Sequence, residues 1–145
     1  AYEIVSRDWS SDVCSSDLQD YYAEPYGLLT IIYDVYYKDP VMAVKMYKKA
    51  LSKKQYMFLF SMPRATFSVV KCALSQKDYK TAVWVLEKER ELFPELAKAE
   101  WYVNLENSVN AYFKQNDISR NEVFTSEERE ALKAGKDVLE ILGNQ

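Results

Sequence analysis

The sequence predicts an all-α fold built of antiparallel helical hairpins, with about six helices. Of the 145 residues, 48% are apolar and 14% aromatic, with only three Gly and four Pro, a composition typical of a compact helical protein. Apolar residues recur at spacings of three and four along most of the chain. The clearest case is 77–94, where Asp78 is a helix N-cap and Pro94 ends the run. Residues 64–76 precede it across a short turn, so the two segments predict a hairpin.

The first two helices are predicted at 25–38 and 40–54. Pro25 suits a first helical position, and Asp39 followed by Pro40 ends one helix and caps the next. Apolar and aromatic residues occupy nearly the whole circumference of the first helix, which predicts burial on more than one side, against a preceding helix that we expect to be missing from this chain. The outer side of the second helix carries five lysines, Lys45, Lys48, Lys49, Lys53 and Lys54. No Arg or stacking aromatic is interleaved with them, so we predict a solvated face rather than a site for nucleic acid or an acidic tail.

The remaining elements differ in how clearly the sequence defines them. Periodicity does not decide whether 55–62 is a short strand or a helical turn, and we expect it to extend the second helix and then to form a loop. Pro63 opens the third helix, and the fourth is 77–94. A fifth helix is predicted at 95–114. The last helix is predicted at 125–143, beginning at a capping box of Thr125 and Glu128 and ending at Gly143.

Residues 1–18 resemble a translated short-read sequencing adapter. The segment 8–18, DWSSDVCSSDL, back-translates into the read-side part of such an adapter, and AYEI at 1–4 fits its flow-cell part in the same frame. The alternative is a native Ser/Asp-rich tail. We therefore expect 1–18 to be non-native and disordered or poorly packed, and 19–145 to be one domain from the C-terminal part of a longer protein, a metagenomic fragment. An intact genomic copy of the gene tests this hypothesis.

Leaving out 1–18 changes both the charge balance and the number of cysteines in the chain. The adapter-like stretch holds four acids and one base, which leaves 18 of each in the rest of the chain. Residues 19–80 are basic and 81–145 acidic, a pattern that allows head-to-tail self-association but is equally typical of solvated helices. Cys72 is then the one cysteine of 19–145, in an apolar helical pattern, and we predict a buried, unreactive thiol. The sequence does not decide the cellular compartment, although the cytoplasm is slightly favoured.

Enzymatic motifs and metal sites are not predicted. The chain has no His, which excludes His-dependent triads and zinc sites with His ligands. Its three glycines are too scattered for a phosphate-binding loop. Ser68 and Lys71 match an S-x-x-K motif, but its companion motifs are absent and it lies within a predicted helix, so we interpret it as coincidental. No apolar run is long enough to span a membrane. We predict no catalytic activity, cofactor or metal.

The pattern in 25–115 resembles the tetratricopeptide repeat, a helical hairpin of about 34 residues. The best unit matches that family through Asp78, Tyr79, Ala82, Leu86 and Pro94. An earlier unit matches through Asp39, Ala43, Tyr47, Ala50 and Leu51. Glu89 departs from the family at a position that is usually small, and Pro40 replaces an aromatic residue. The resemblance implies a short α-solenoid, whose stacked hairpins form a groove that binds a peptide or an extended protein segment.

Carried over by position, the groove residues are Arg64, Phe67, Lys71 and Leu74 in one unit and Lys98, Trp101 and Leu105 in the next. The three cations are expected to receive an acidic group of the partner. The alternative is that Phe67 and Trp101 belong to the core and the cations are solvated. The clamp of the chaperone-binding members of the family is missing at the matching positions, Leu28 and Ile32.

The sequence thus predicts a protein- or peptide-binding module without nucleic-acid binding. Two alternatives stay open. The chain could be a docking or oligomerisation tail of an enzyme, or the ligand-sensing part of a peptide-responsive transcriptional regulator.

Overall fold

The computed structural model describes residues 21–143. These residues form seven α-helices, which are α1 Glu24–Val35, α2 Pro40–Leu51, α3 Pro63–Ser75, α4 Tyr79–Leu92, α5 Glu100–Gln115, α6 Ser126–Lys133 and α7 Val138–Leu142. Three 3₁₀ segments lie between them, at Tyr56–Ser61, Pro94–Lys98 and Arg120–Glu122. The described residues contain no β-strand, which confirms the all-α class. The adapter-like stretch 1–18 lies outside them.

The first four helices form two antiparallel hairpins. The start of α1 lies next to the end of α2. The Nζ atoms of Lys49 and Lys53 are 5.2 and 5.1 Å from the centre of the Tyr26 ring on α1. The start of α3 meets the end of α4, where the Thr66 hydroxyl donates a hydrogen bond of 2.6 Å to Glu89 Oε2. The two hairpins are in contact, since α3 packs against both α1 and α2.

Helix α4 has a well-formed N-cap and is largely buried. The Asp78 carboxylate accepts from the backbone N–H of Thr81 at 3.3 Å and from its hydroxyl at 2.8 Å, which confirms the predicted N-cap. All six residues from 81 to 86 are buried, because neighbours cover α4 on several sides. Burying a side chain such as Leu86 stabilises the fold by about 1.5–3 kcal/mol. The stretch that the sequence marks most clearly is therefore also a central part of the core.

The segment 55–62 differs from its prediction. It does not extend α2, which ends at Leu51, and instead Tyr56–Ser61 forms a separate 3₁₀ turn with Leu59 and Phe60 buried. A Cβ on Gly27 of α1 would lie only 2.8 Å from Leu59 Cδ2. Glycine at this position therefore lets the turn approach α1 closely, a tertiary contact that helical periodicity does not report.

Three helix boundaries also differ from the predictions. Helix α1 ends at Val35 rather than 38, and Lys38 adopts a left-handed φ of 53°. The predicted fifth helix is interrupted after the 3₁₀ segment Pro94–Lys98, because Ala99 is extended, and α5 begins at Glu100. The predicted last helix is two helices, since Gly135 has a φ of 86° and the Asp137 side chain caps α7. The capping box of Thr125 and Glu128 is confirmed.

Helix α5 pairs with α4 and fixes the loop that follows it. The Tyr102 hydroxyl lies 2.7 Å from the Leu86 carbonyl oxygen on α4 and 2.9 Å from Glu106 Oε1. The guanidinium of Arg120 donates two hydrogen bonds to the Glu106 carboxylate, at 2.6 and 3.3 Å. This bidentate pair connects α5 to the first turn of residues 119–143, which we name the C-terminal arm.

The C-terminal arm returns towards α4 and α2. Ion pairs connect α6 to α4, with Lys80 Nζ 2.7 Å from Glu128 Oε2 and Arg129 Nη1 3.2 Å from Glu87 Oε2. Helix α7 packs against α2 and buries two leucines, Leu139 and Leu142. The arm is therefore a cover on the α2–α4 side of the hairpins.

The lysine face of α2 is not the solvated face that the sequence predicts. Lys48 is only 6% exposed, and its Nζ lies 2.9 Å from Asp78 Oδ2 and 3.4 Å from the Leu142 carbonyl oxygen. Lys53 is 8% exposed beside the Tyr26 ring. The prediction was wrong for these two lysines, because α4, α7 and α1 cover them, whereas Lys45, Lys49 and Lys54 are exposed.

Candidate functional site

A buried carboxylate joins α1 to α3. Asp34 Oδ1 lies 2.9 Å from Lys71 Nζ and 3.4 Å from Cys72 Sγ, and Asp34 is 7% exposed. Burial acts to raise the pKa of Asp34, but the Lys71 ammonium group and the nearby Ser68 and Cys72 side chains outweigh it and lower the pKa. Because these contacts lie near the ends of both helices, α1 and α3 run parallel.

The contact between Asp34 and α3 also determines the protonation of the Cys72 thiol. Burial, together with the nearby negative charge of Asp34, raises the pKa of the Cys72 thiol to about 12. The side chain is 2% exposed and forms no disulfide. The prediction of a buried thiol is confirmed, and at neutral pH the group is protonated and a poor nucleophile.

Three of the predicted groove residues lie together on the outer side of α3. The Arg64 guanidinium carbon is 5.6 Å, and Lys71 Nζ 5.8 Å, from the centre of the Phe67 ring. Phe67 is 39% exposed, so it is not the core residue that the alternative interpretation required. The ring is flanked by two cations, one of which is already paired with Asp34.

An exposed apolar stripe continues this surface on α1. Leu28, Ile32 and Val35 are 54, 42 and 39% exposed, and their spacing of four and three places them on one side of the helix. The sequence predicts that a preceding helix, missing from this chain, buries a further side of α1. Within the described residues α1 packs against α2 and α3, and these three side chains lie outside both contacts.

The two groups of side chains point to the same side of the molecule. On α1, Tyr26 faces α2 and Asp34 faces α3, which directs the stripe away from α2. On α3, Thr66 faces α4 and Cys72 faces α1, which directs Phe67 away from α4. We name the continuous area of Leu28, Ile32, Val35, Arg64, Phe67 and Lys71 the α1–α3 surface.

The other predicted groove residues do not join the α1–α3 surface. Leu74 is half-buried, and its carbonyl oxygen accepts a hydrogen bond of 3.2 Å from the Tyr112 hydroxyl. Lys98 is exposed in the 3₁₀ segment before α5. Trp101 is half-buried and packs edge-on against Tyr102, with ring centres 5.8 Å apart. Within 21–143, no hydrogen bond or ion pair connects Lys98 to Arg64 or Lys71.

Sequence reasoning missed the roles of Asp34 and of the α1 stripe. Asp34 is the one charged residue among the apolar residues from Tyr26 to Tyr37, and a lone acid in such a helix indicates a buried partner. The stripe did give a signal, apolar residues around nearly the whole circumference of the helix, but we interpreted it as the contact face of a missing helix. Periodicity identifies an apolar face and not what covers it.

Chemical sites are not evident in this part of the chain. The Ser68 of the S-x-x-K motif is fully buried beside Asp34, so its hydroxyl has no access to a substrate in this fold. Among residues 21–143, no three His, Cys, Asp or Glu side chains lie close enough to hold a metal ion. No helix in the same range combines the length and the apolar character needed to cross a membrane.

Replacing Lys71 by Glu is expected to destabilise the fold. The substitution removes the cation that pairs with the buried Asp34 and places a second negative charge near it. Because the Lys71 side chain is 55% exposed, solvent screens part of the effect, and we expect a cost of about 1–3 kcal/mol. Urea unfolding followed by circular dichroism measures the effect. Arg64→Glu, on the same face but without a buried partner in the described residues, should change stability by less than about 0.5 kcal/mol. Equal effects of the two substitutions would contradict a structural role of the Asp34–Lys71 pair.

Comparisons of the chain with protein-family models, with curated proteins and with solved structures find no match.

Proposed function

We propose that this chain is a protein- or peptide-binding module of helical hairpins and that the α1–α3 surface binds the partner. The observation that supports this most is the exposure of three aliphatic side chains on α1 beside an exposed Phe67 on α3. Contiguous apolar patches of this kind on a protein surface are typical of interaction sites. The resemblance of 25–115 to tetratricopeptide repeats favours the same function.

The chemistry of the surface indicates the class of partner. Its apolar part favours aliphatic or aromatic side chains of an extended segment or a short helix. Its charged part is positive, because Asp34 accounts for only one of the two cations, Arg64 and Lys71. A partner with an acidic group next to apolar residues would therefore match it, with the acidic group on Arg64.

Selection of peptides from a random displayed library, using the full chain as bait, tests this proposal. Selected peptides are expected to combine acidic and apolar residues. Phe67→Ala and Arg64→Glu should each weaken their binding roughly ten-fold or more, since each removes one part of the surface. Fluorescence anisotropy of labelled peptides gives the dissociation constants.

Lys45→Glu is the matched control, because it reverses an exposed cation on α2 that does not belong to the α1–α3 surface. If the selected peptides bind wild type, Phe67→Ala, Arg64→Glu and Lys45→Glu with equal affinity, the α1–α3 surface is ruled out as their site. A library that yields no binder would count against peptide recognition altogether.

A further inference from the structure

A cleft of about 780 Å³ lies beneath the C-terminal arm. It separates α4 from α6 and from the loop that connects α6 to α7. Its apolar part comes from Leu51, Tyr56 and Trp84, and Leu132 and Val138 face it from the arm. The volume lies within the range of small-molecule binding sites.

The construction of the arm explains why the cleft is open. Helix α6 has no buried residue, so ion pairs rather than apolar packing connect it to α4. The arm is attached on both sides of the cleft, through Arg129 and Glu87 at one end and through α7 on α2 at the other. It therefore spans the gap without filling it.

Most of the charged side chains around the cleft form ion pairs. Four cations line it, namely Lys88, Arg129, Lys133 and Lys136, against the three acids Glu87, Glu91 and Asp137. Ion pairs within the lining connect Lys88 to Glu91 and Arg129 to Glu87. Asp137 caps α7, and Lys136 pairs with Glu140 outside the lining. Lys133 has no ion pair within 21–143.

We infer that this cleft binds a small amphipathic anion, with an aromatic or branched apolar body against Trp84 and Tyr56 and a carboxylate-type group on Lys133. The site is separate from the α1–α3 surface, which lies on the other side of the hairpins. Its ligand differs from a peptide partner in size, because a cleft of about 780 Å³ matches a small molecule.

Titration of the ¹⁵N-labelled full chain with 1-naphthoate tests the inference, with 1-naphthamide as the neutral ligand of the same shape. Naphthoate is expected to shift the amide resonances of 84–91 and 129–138. Its affinity should exceed that of the amide roughly ten-fold, because only the carboxylate interacts with Lys133. Lys133→Glu should remove this preference, and Lys133→Gln should reduce it.

Lys114→Glu serves as the control, since Lys114 is an exposed lysine on α5 that does not line the cleft. Equal affinity for naphthoate and naphthamide would contradict an anion site. Shifts confined to 28–35 and 64–71 would assign the probe to the α1–α3 surface and overturn the inference. Absence of shifts at low-millimolar naphthoate would overturn it as well. None of these results depends on whether peptides bind the α1–α3 surface.

Discussion

Replacing Lys48 by Glu is expected to lower the free energy of unfolding by about 3–5 kcal/mol. The Lys48 ammonium group is buried between Asp78, which caps α4, and the Leu142 carbonyl oxygen at the end of α7. A carboxylate in its place would face Asp78 and the Leu142 carbonyl oxygen, and the ion pair with Asp78 would be replaced by repulsion. One substitution therefore disturbs the start of α4 and the attachment of the C-terminal arm together.

Urea denaturation measures the loss of stability, and hydrogen exchange shows where it acts. We expect the amides of α7 to lose protection first, since Lys48 is their polar link to α2. Lys45→Glu is the matched control, because Lys45 lies on the same helix but is exposed, and a change below about 0.5 kcal/mol is expected for it. Equal losses for both variants would mean that Lys48 is solvated in solution.

Replacing Glu89 by Gln is expected to stabilise the protein at alkaline pH by about 3 kcal/mol and to have little effect at pH 4.5. Glu89 is 1% exposed, and its Oε2 accepts the hydrogen bond from Thr66. Burial raises its pKa from 4.5 to about 7, against the smaller opposing effect of the Thr66 hydrogen bond. The neighbouring Tyr47 hydroxyl is buried without a partner in the described part of the chain.

The direction of the pH effect follows from the raised pKa. A group whose pKa is higher in the folded state binds its proton more tightly there, so its contribution is complete below pH 4.5 and is lost as the pH rises through 7. Gln keeps an acceptor for Thr66 and has no proton to lose. The side-chain amide can also donate to Tyr47, which a carboxylate cannot.

Unfolding of wild type and Glu89→Gln at several pH values between 4.5 and 8.5 gives the difference directly. Subtraction removes the contribution of Asp34, whose lowered pKa stabilises the folded state at neutral pH, an effect that is lost as the pH falls. Glu91→Gln is the control, because Glu91 lies on the same helix with its side chain 69% exposed. Parallel pH profiles for wild type and Glu89→Gln would disprove the assignment.

The positions of most helices follow from local features of the sequence. Asp39, Asp78 and Thr125 cap their helices as predicted, because an N-cap depends on a side chain and on the backbone two or three residues later. The same holds for the hairpin of α3 and α4, whose apolar spacing and short turn are local. The predicted helix boundaries were wrong at 55–62 and at 134–137. In the first segment a 3₁₀ turn in contact with Gly27 replaces regular helix, and in the second a left-handed Gly135 interrupts it.

The candidate site was predicted only in part. Arg64, Phe67 and Lys71 occupy one face of α3 because they are three and four residues apart, and the structure brings them together. Lys98 and Trp101 were assigned to the same groove through the stacking of repeats, and the described contacts do not connect them to Arg64 or Lys71. The stripe on α1 and the cleft beneath the arm depend on which elements lie next to each other.

The sequence by itself thus determined the helical class, the caps and the internal faces of the hairpins, since these depend on residues within two turns of one another. The tertiary structure alone decided which polar groups are buried. Lys48 looks like a solvated charge in the sequence, and the lone acid Asp34 indicates a buried partner without identifying it. Their partners, Asp78 and Lys71, lie 30 and 37 residues away. Burial and pairing of charges are long-range properties, and helical periodicity carries no information about them.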